Sequence, residues 1–104
     1  GSRLVRFNSN GSIDAGFHSH VQKSDDIAIQ KDGKIIVAYA NSDCLFDRYD
    51  IDGSVDSTFG NNGTVELRPH EEDDNPTFAV SSMAIEKDGK IILVIPGIDS
   101  FKIQ

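Results

Sequence analysis

The stretch IAIQKDGKIIVAY at 27–39 returns as MAIEKDGKIILVI at 83–95, and this repetition limits the fold more than any other feature of the chain. Each copy places two short apolar, β-branched runs around Lys-Asp-Gly-Lys, too short for helices and spaced for a β-hairpin. Asp32 and Asp88 can hydrogen-bond locally, and Gly33 and Gly89 can take a positive φ at no steric cost. A two-residue type I′ turn and a type I turn with a glycine bulge both fit. The strand after the turn is apolar on both faces: Ile35, Val37 and Tyr39 point one way, Ile36 and Ala38 the other. In the second copy Ile91, Leu93 and Ile95 oppose Ile92 and Val94. An antiparallel sheet with one wet face alternates polar and apolar residues. A strand with no polar face needs cover on both sides, as stacked blades of a β-propeller provide.

A second element is also written twice. FNSNGSIDAGF starts at Phe7 and YDIDGSVDSTF at Tyr49. Gly11 and Gly53 lie 42 residues apart, Gly33 and Gly89 lie 56 apart, and the order is corner, hairpin, corner, hairpin. Units of this length with one variable connection mark a propeller, solenoid or similar array. The expectation is therefore an all-β fold of antiparallel, propeller-like blades, an incomplete ring within residues 1–104. Residues 3–24 read as a partial blade, 25–67 as a nearly complete one, and 78–104 as another partial blade. Besides the hairpins, strands are expected at 4–8, 45–50, 63–67, 78–85 and 100–103. The acidic stretch 68–77, with His70 to Asp74 ending at Asn75-Pro76, reads as a solvated loop.

The repeated corner resembles a calcium loop at first sight. With Gly53 at position 6 of an acidic loop, Asp50, Asp52 and Asp56 fall at 3, 5 and 9. Position 1 is then Arg48, and in the other copy Arg6, and a guanidinium cannot ligate a cation. The structural reading accounts for more residues. Asn10-Gly11 and Asp52-Gly53 turn the chain, Asp14 and Asp56 accept backbone N–H groups or pair with Arg6 and Arg48, and Phe17 and Phe59 drive the turn back onto the core. His18 and His20 could share a strand face, but a zinc site would need further ligands, with His70 brought in from a distant loop. Cys44 has no partner base in sequence, and no phosphate loop, HExxH or nucleophile elbow occurs, so no catalytic residue, resident metal or cofactor is assigned. Tyr39, Tyr49 and Phe46 read as packing residues.

Ten basic against seventeen acidic side chains give a net charge of −7, which repels phosphate backbones and anionic lipid. Nucleic acid is a poor partner on that ground, and no apolar run is long enough for a spanning helix. A single cysteine does not decide the compartment. Gly1 and Ser2 look like cloning remnants, and the chain reads as an excerpt of a longer one.

Arg48-Tyr49, Asp52-Gly53-Ser54, Asp56 and Phe59-Gly60, followed by Ala84-Ile85, Asp88-Gly89-Lys90 and Ile91-Ile92, resemble the delta-60 repeat. The earlier copy is similar through Arg6-Phe7, Asn10-Gly11-Ser12, Asp14 and Phe17, then Ala28-Ile29, Asp32-Gly33-Lys34 and Ile35-Ile36. The proline that this family places before Asp-Gly or its equivalent is Ser9, Ile51, Lys31 and Lys87 here. The resemblance implies tandem bacterial propeller repeats, a surface or secreted location, and a scaffold or recognition role with no catalytic residues to transfer. Partners expected on this reading are further copies or neighbouring repeats, and a protein or glycan ligand. The competing readings are a carbohydrate-active hydrolase fragment, which requires two opposed acids about 5–10 Å apart, and a purely structural self-assembling module.

Overall fold

The computed structural model describes residues 3–40, 43–69, 80–96 and 101–103, and within them every regular element is a β-strand. In chain order these are β1 (Asp26–Ile29), β2 (Ile35–Ala40), β3 (Cys44–Tyr49), β4 (Thr64–Pro69), β5 (Ser82–Ile85), β6 (Ile91–Val94) and β7 (Phe101–Ile103). Strands β1 to β4 form an antiparallel meander, and β7 adds to the free edge of β4. Strands β5 and β6 form a separate two-stranded sheet. The all-β, antiparallel architecture expected from the repeats is the one observed.

Local chemistry explains each hairpin. The N–H of Gln30 donates to the carbonyl of Lys34 at 2.8 Å, and that of Gly33 donates back to Gln30 at 2.9 Å. Gly33 sits at φ 91°, while Asp32 stays at negative φ. This is the type I turn with a glycine bulge, one of the two forms the sequence allowed. Glu86, Gly89 and Lys90 repeat it with distances of 2.9 Å. Between β3 and β4 the chain uses the other solution. Asn62 (φ 56°) and Gly63 (φ 100°) both take positive φ, the requirement of a primed two-residue turn.

Strand β2 is buried on both faces, which answers the question its composition poses. Ile35 and Val37 pack with Val21 and Tyr49, and Leu4, Phe17 and Tyr39 close that side. On the opposite face Ala38 and Ala40 pack with Cys44, Leu67 and Val80, covered by Phe46 and by Met83, Leu93 and Ile95 of the second hairpin. The N-terminal segment thus covers one face of the meander and the β5–β6 hairpin covers the other. Burying both sides of Ile36, Val37 and Ala38 removes apolar surface worth roughly 25 cal/mol per Å².

Two expectations need correction. Residues 4–8 do not form a strand: Phe7 makes only an isolated bridge to Ile13, because no neighbouring strand offers a ladder. Strand β6 is not covered on both sides as β2 is, since Ile92 and Val94 stand half exposed. Phe101–Ile103, which follows the second hairpin as β3 follows the first, lies on the edge of β4 and not beside β6. Of the strand expected at 78–85, the first two residues lie outside the described residues, and pairing begins at Ser82. The acidic stretch 70–77 lies outside them as well.

Candidate functional site

The second corner is built where β3 ends. The N–H of Asp50 donates to Ser54 (2.7 Å) and that of Gly53 to Asp50 (2.9 Å), a turn that sends the chain back across Arg48. Asp56 then donates its backbone N–H to the Arg48 carbonyl at 3.0 Å. Its carboxylate is shut away from water and fully engaged. Oδ2 accepts from Lys34 Nζ at 2.7 Å and from Arg48 Nε at 2.9 Å, while Oδ1 accepts from the Thr58 N–H (3.1 Å) and hydroxyl (2.6 Å). The Arg48 guanidinium also lies over the Phe59 ring at 4.7 Å, and Phe59 meets Phe46 edge-on at 5.8 Å. A buried carboxylate is tolerable only when paired in this way. The bonds from Lys34, then Thr58 and Arg48, hold Asp56 well below the usual carboxylate range, and Asp56 in turn raises Lys34.

The first corner repeats the turn, the arginine–aspartate pair and the contact with the ring. Asp14 donates to the Arg6 carbonyl at 3.0 Å, Arg6 Nε donates to Asp14 Oδ2 at 2.8 Å, and Arg6 lies 4.4 Å over Phe17. Asn10 Oδ1 accepts from the Ser12 N–H (3.0 Å) and hydroxyl (2.7 Å), as Asp52 Oδ1 does from Ser54 (3.0 and 2.6 Å). Arg6 holds Asp14 below its ordinary pKa. The first corner leans on the second: the His18 N–H donates to the Asp52 carbonyl at 2.9 Å, and Arg6 Nη1 donates to that of Ile51.

These bonds leave little for a cation at the acidic loop. Asp52 is committed to Ser54, Asp56 to two cationic side chains, and Asp50 lies 3.7 Å from Lys34. Lys34 and Arg48 already place two positive charges on the Asp56 carboxylate, which a calcium ion would have to displace. Among the described residues no three His, Cys, Asp or Glu side chains converge at metal-ligating distance. His70, invoked above with His18 and His20, lies outside the described residues. Asp32 and Asp88 serve their own turns, accepting from the N–H of Lys34 (3.0 Å) and Lys90 (3.1 Å). Cys44 is buried, and burial raises its thiol pKa, which makes it inert as a nucleophile.

Tertiary structure assembles one cluster that the sequence reading did not single out. A cleft of about 340 Å³ is lined by His20, Lys23, Tyr39, Asp47 and Tyr49. Asp47 accepts from the Thr64 hydroxyl at 2.7 Å and from the Tyr49 hydroxyl at 3.5 Å. Burial raises the Asp47 pKa, and burial with the nearby Asp47 charge pushes Tyr39 and Tyr49 up to about 12. The result is a rim of hydroxyls, a carboxylate, an imidazole and an amine, suited to hydrogen-bonding a polar ligand. The signal was available only through register. Asp47 is the charged residue of β3 opposite fully buried Val37.

Two corners with matching bonds, stacked on a four-stranded meander, describe a repeat. Residues 1–17 match the profile of a domain of unknown function, the DUF5122 β-propeller. No curated protein and no solved structure gives a match. The matched residues run through the first corner to Phe17, the element that the chain builds a second time at Arg48–Phe59. The similarity is thus to a β-propeller repeat family.

Proposed function

We propose that this chain is a non-catalytic scaffold module of the delta-60 type, placed at a bacterial surface or in a secreted protein, whose open clefts recognise a protein or glycan. The observation that carries the reading is the fate of the repeated acids. Asp14 and Asp52 accept hydrogen bonds from their own corners, and Asp56 from its own corner and from Lys34 of the preceding hairpin. Residues that hold a turn recur because each unit needs its turn. The surface location rests on the family resemblance.

The cleft around Asp47 is the proposed recognition surface. Aromatic rings beside a carboxylate and hydroxyls match the alternating apolar and hydroxyl faces of a sugar. The test is an NMR titration of the folded chain with soluble oligosaccharides of several linkages, with product analysis on the same samples. Shifts confined to His20, Tyr39, Asp47 and Tyr49 without new reducing ends support recognition. Released product sinks the non-catalytic reading, and silence with every sugar sinks the glycan reading. A purely structural, self-assembling role is the second reading, favoured by the exposed Val5, Phe7, Ile13, Ile92 and Val94.

A further inference from the structure

Repeat equivalence turns pairing within the chain into a pattern for pairing between chains. A shift of 56 residues maps the first hairpin onto the second (Gly33 to Gly89), and a shift of 42 maps the second corner onto the first (Gly53 to Gly11). Strand β2 pairs with β3 so that Ile35 faces Tyr49 and Val37 faces Asp47. The counterparts of β2 are Ile91 and Leu93 on β6, and those of β3 are Phe7 and Val5. Within one chain these counterparts do not pair. Among the described residues β6 bonds to β5 alone, and Phe7 bridges to Ile13. The chain's own strand for the place beside β6, Phe101–Ile103, is taken by β4.

Burial and charge show the same gap. Tyr49 is 7% exposed and its counterpart Phe7 60%, while Ile36 is 0% exposed and Ile92 49%. Val94 is exposed where Ala38 is buried. Inside the chain, β5 lies against β1 and Met83 packs on the Ala38 face. The counterparts of Met83 and Ile85 are Ile27 and Ile29, both of them exposed. Lys34 closes on Asp56 at 2.7 Å, but among the described residues Lys90 reaches only Asp88 of its own turn, at 3.5 Å. Asp14 carries Arg6 and no lysine among the described residues. Each end of the molecule therefore presents half of a contact that its middle makes in full.

We infer that copies of this chain join head to tail, with residues 3–7 of one copy antiparallel along β6 of the next. Phe7 faces Ile91, Val5 faces Leu93, and Lys90 closes on Asp14 of the neighbouring copy. Ile92 and Val94 are then covered by Ile27 and Ile29 of the incoming copy, as Ala38 is covered by Met83 within the chain. The contact is heterologous, so it repeats until it closes a ring or grows a filament. Each copy adds its own meander and one composite blade at the junction. Roughly two to four copies supply the four to eight blades with which propellers close. The inference rests on the scaffold reading and names its partner as a second copy of the same chain.

Charge reversal tests it. Sedimentation of the wild-type chain across a wide concentration range is expected to show oligomers in mass action. Asp14→Lys and Lys90→Asp each place like charges at the junction and weaken association at least about tenfold. The double variant, and a one-to-one mixture of the two single variants, regain it, because both restore opposite charges. In a Cys44→Ser background, Phe7→Cys with Ile91→Cys forms disulfide-linked oligomers on mild oxidation. Oligomers indifferent to both charge reversals and without the cross-link overturn this junction and leave the scaffold reading standing. A wild-type chain that stays monomeric at every concentration overturns the junction and the self-assembly role together, leaving the sugar titration to decide recognition.

Discussion

Arg6–Phe17 and Arg48–Phe59 make the same turn with the same bonds, within 0.3 Å at every matched pair, so the sequence of the corner is sufficient for its local geometry. The surroundings differ. The second corner sits at the end of a strand flanked on both sides, receives Lys34 from the preceding hairpin, and is pressed from outside by His18. Among the described residues the first has no flanking strands and no lysine. Asp56 is therefore buried with two cations, and Asp14 is partly exposed with one. Local bonds fix the shape of a turn, while its contribution to stability depends on what packs around it.

Substitution in pairs is the way to break this comparison. The largest contrast is expected between Ile36→Ala and Ile92→Ala, the same hairpin position buried once and half exposed once. The first should cost about 3 kcal/mol in a denaturant melt of dilute protein, and the second less than about 1 kcal/mol. Equal losses would mean that β6 is buried after all. Next come Gly53→Ala and Gly11→Ala, at φ 93° and 91°. A Cβ at Gly53 would lie 2.4 Å from the His18 carbonyl oxygen, while at Gly11 it meets nothing within 4 Å. Gly11→Ala is expected to cost about 1 kcal/mol from φ alone, and Gly53→Ala at least about 2 kcal/mol as the two corners separate.

Asp56→Asn and Asp14→Asn give a smaller difference, read best as a pH profile. Asp56 has a depressed pKa when folded, so its stabilisation is complete above its unfolded value near pH 4 and is lost as pH falls through the folded value. Lys34 is raised, so its share is complete below about pH 10.5 and is lost as pH rises. Asp56→Asn should lower the melting midpoint at neutral pH by on the order of 5 °C and flatten the acid limb. Asp14→Asn should do so by no more than about 2 °C, since exposed pairs are worth little. The smallest effect is spectroscopic. Tyr39 and Tyr49 should show phenolate absorbance near pH 12 in the folded chain and near 10 once unfolded. Their stabilisation is present below about pH 10 and declines as pH rises towards 12. Both titrating near 10 in the folded chain would mean that the two phenol groups are not buried beside Asp47.

Much of the fold was readable because hairpin chemistry is local. Lys-Asp-Gly-Lys places the turn, and the flanking β-branched runs place β1, β2, β5 and β6. The failure at 4–8 is equally physical, because a strand exists only where a partner supplies hydrogen bonds, and residues 3–7 have the composition of β3 without its neighbours. The corner acids were legible as turn residues next to arginine. That Lys34 completes Asp56 was not, since those residues lie 22 positions apart and meet only once β2 and β3 pair. The Asp47 cluster was hidden for the same reason: Tyr39, Asp47 and Thr64 come from three different strands.

The amino-acid order by itself determined the turns, the strand after each hairpin turn, and the Arg–Asp–aromatic lock of both corners. Each of these depends on groups within about ten residues of one another, where the backbone leaves few alternatives. Only the tertiary structure decided which copy is shielded from water. Burial is a property of what lies on the other side of a surface, and identical segments acquire different environments when one sits between neighbours and the other at an edge.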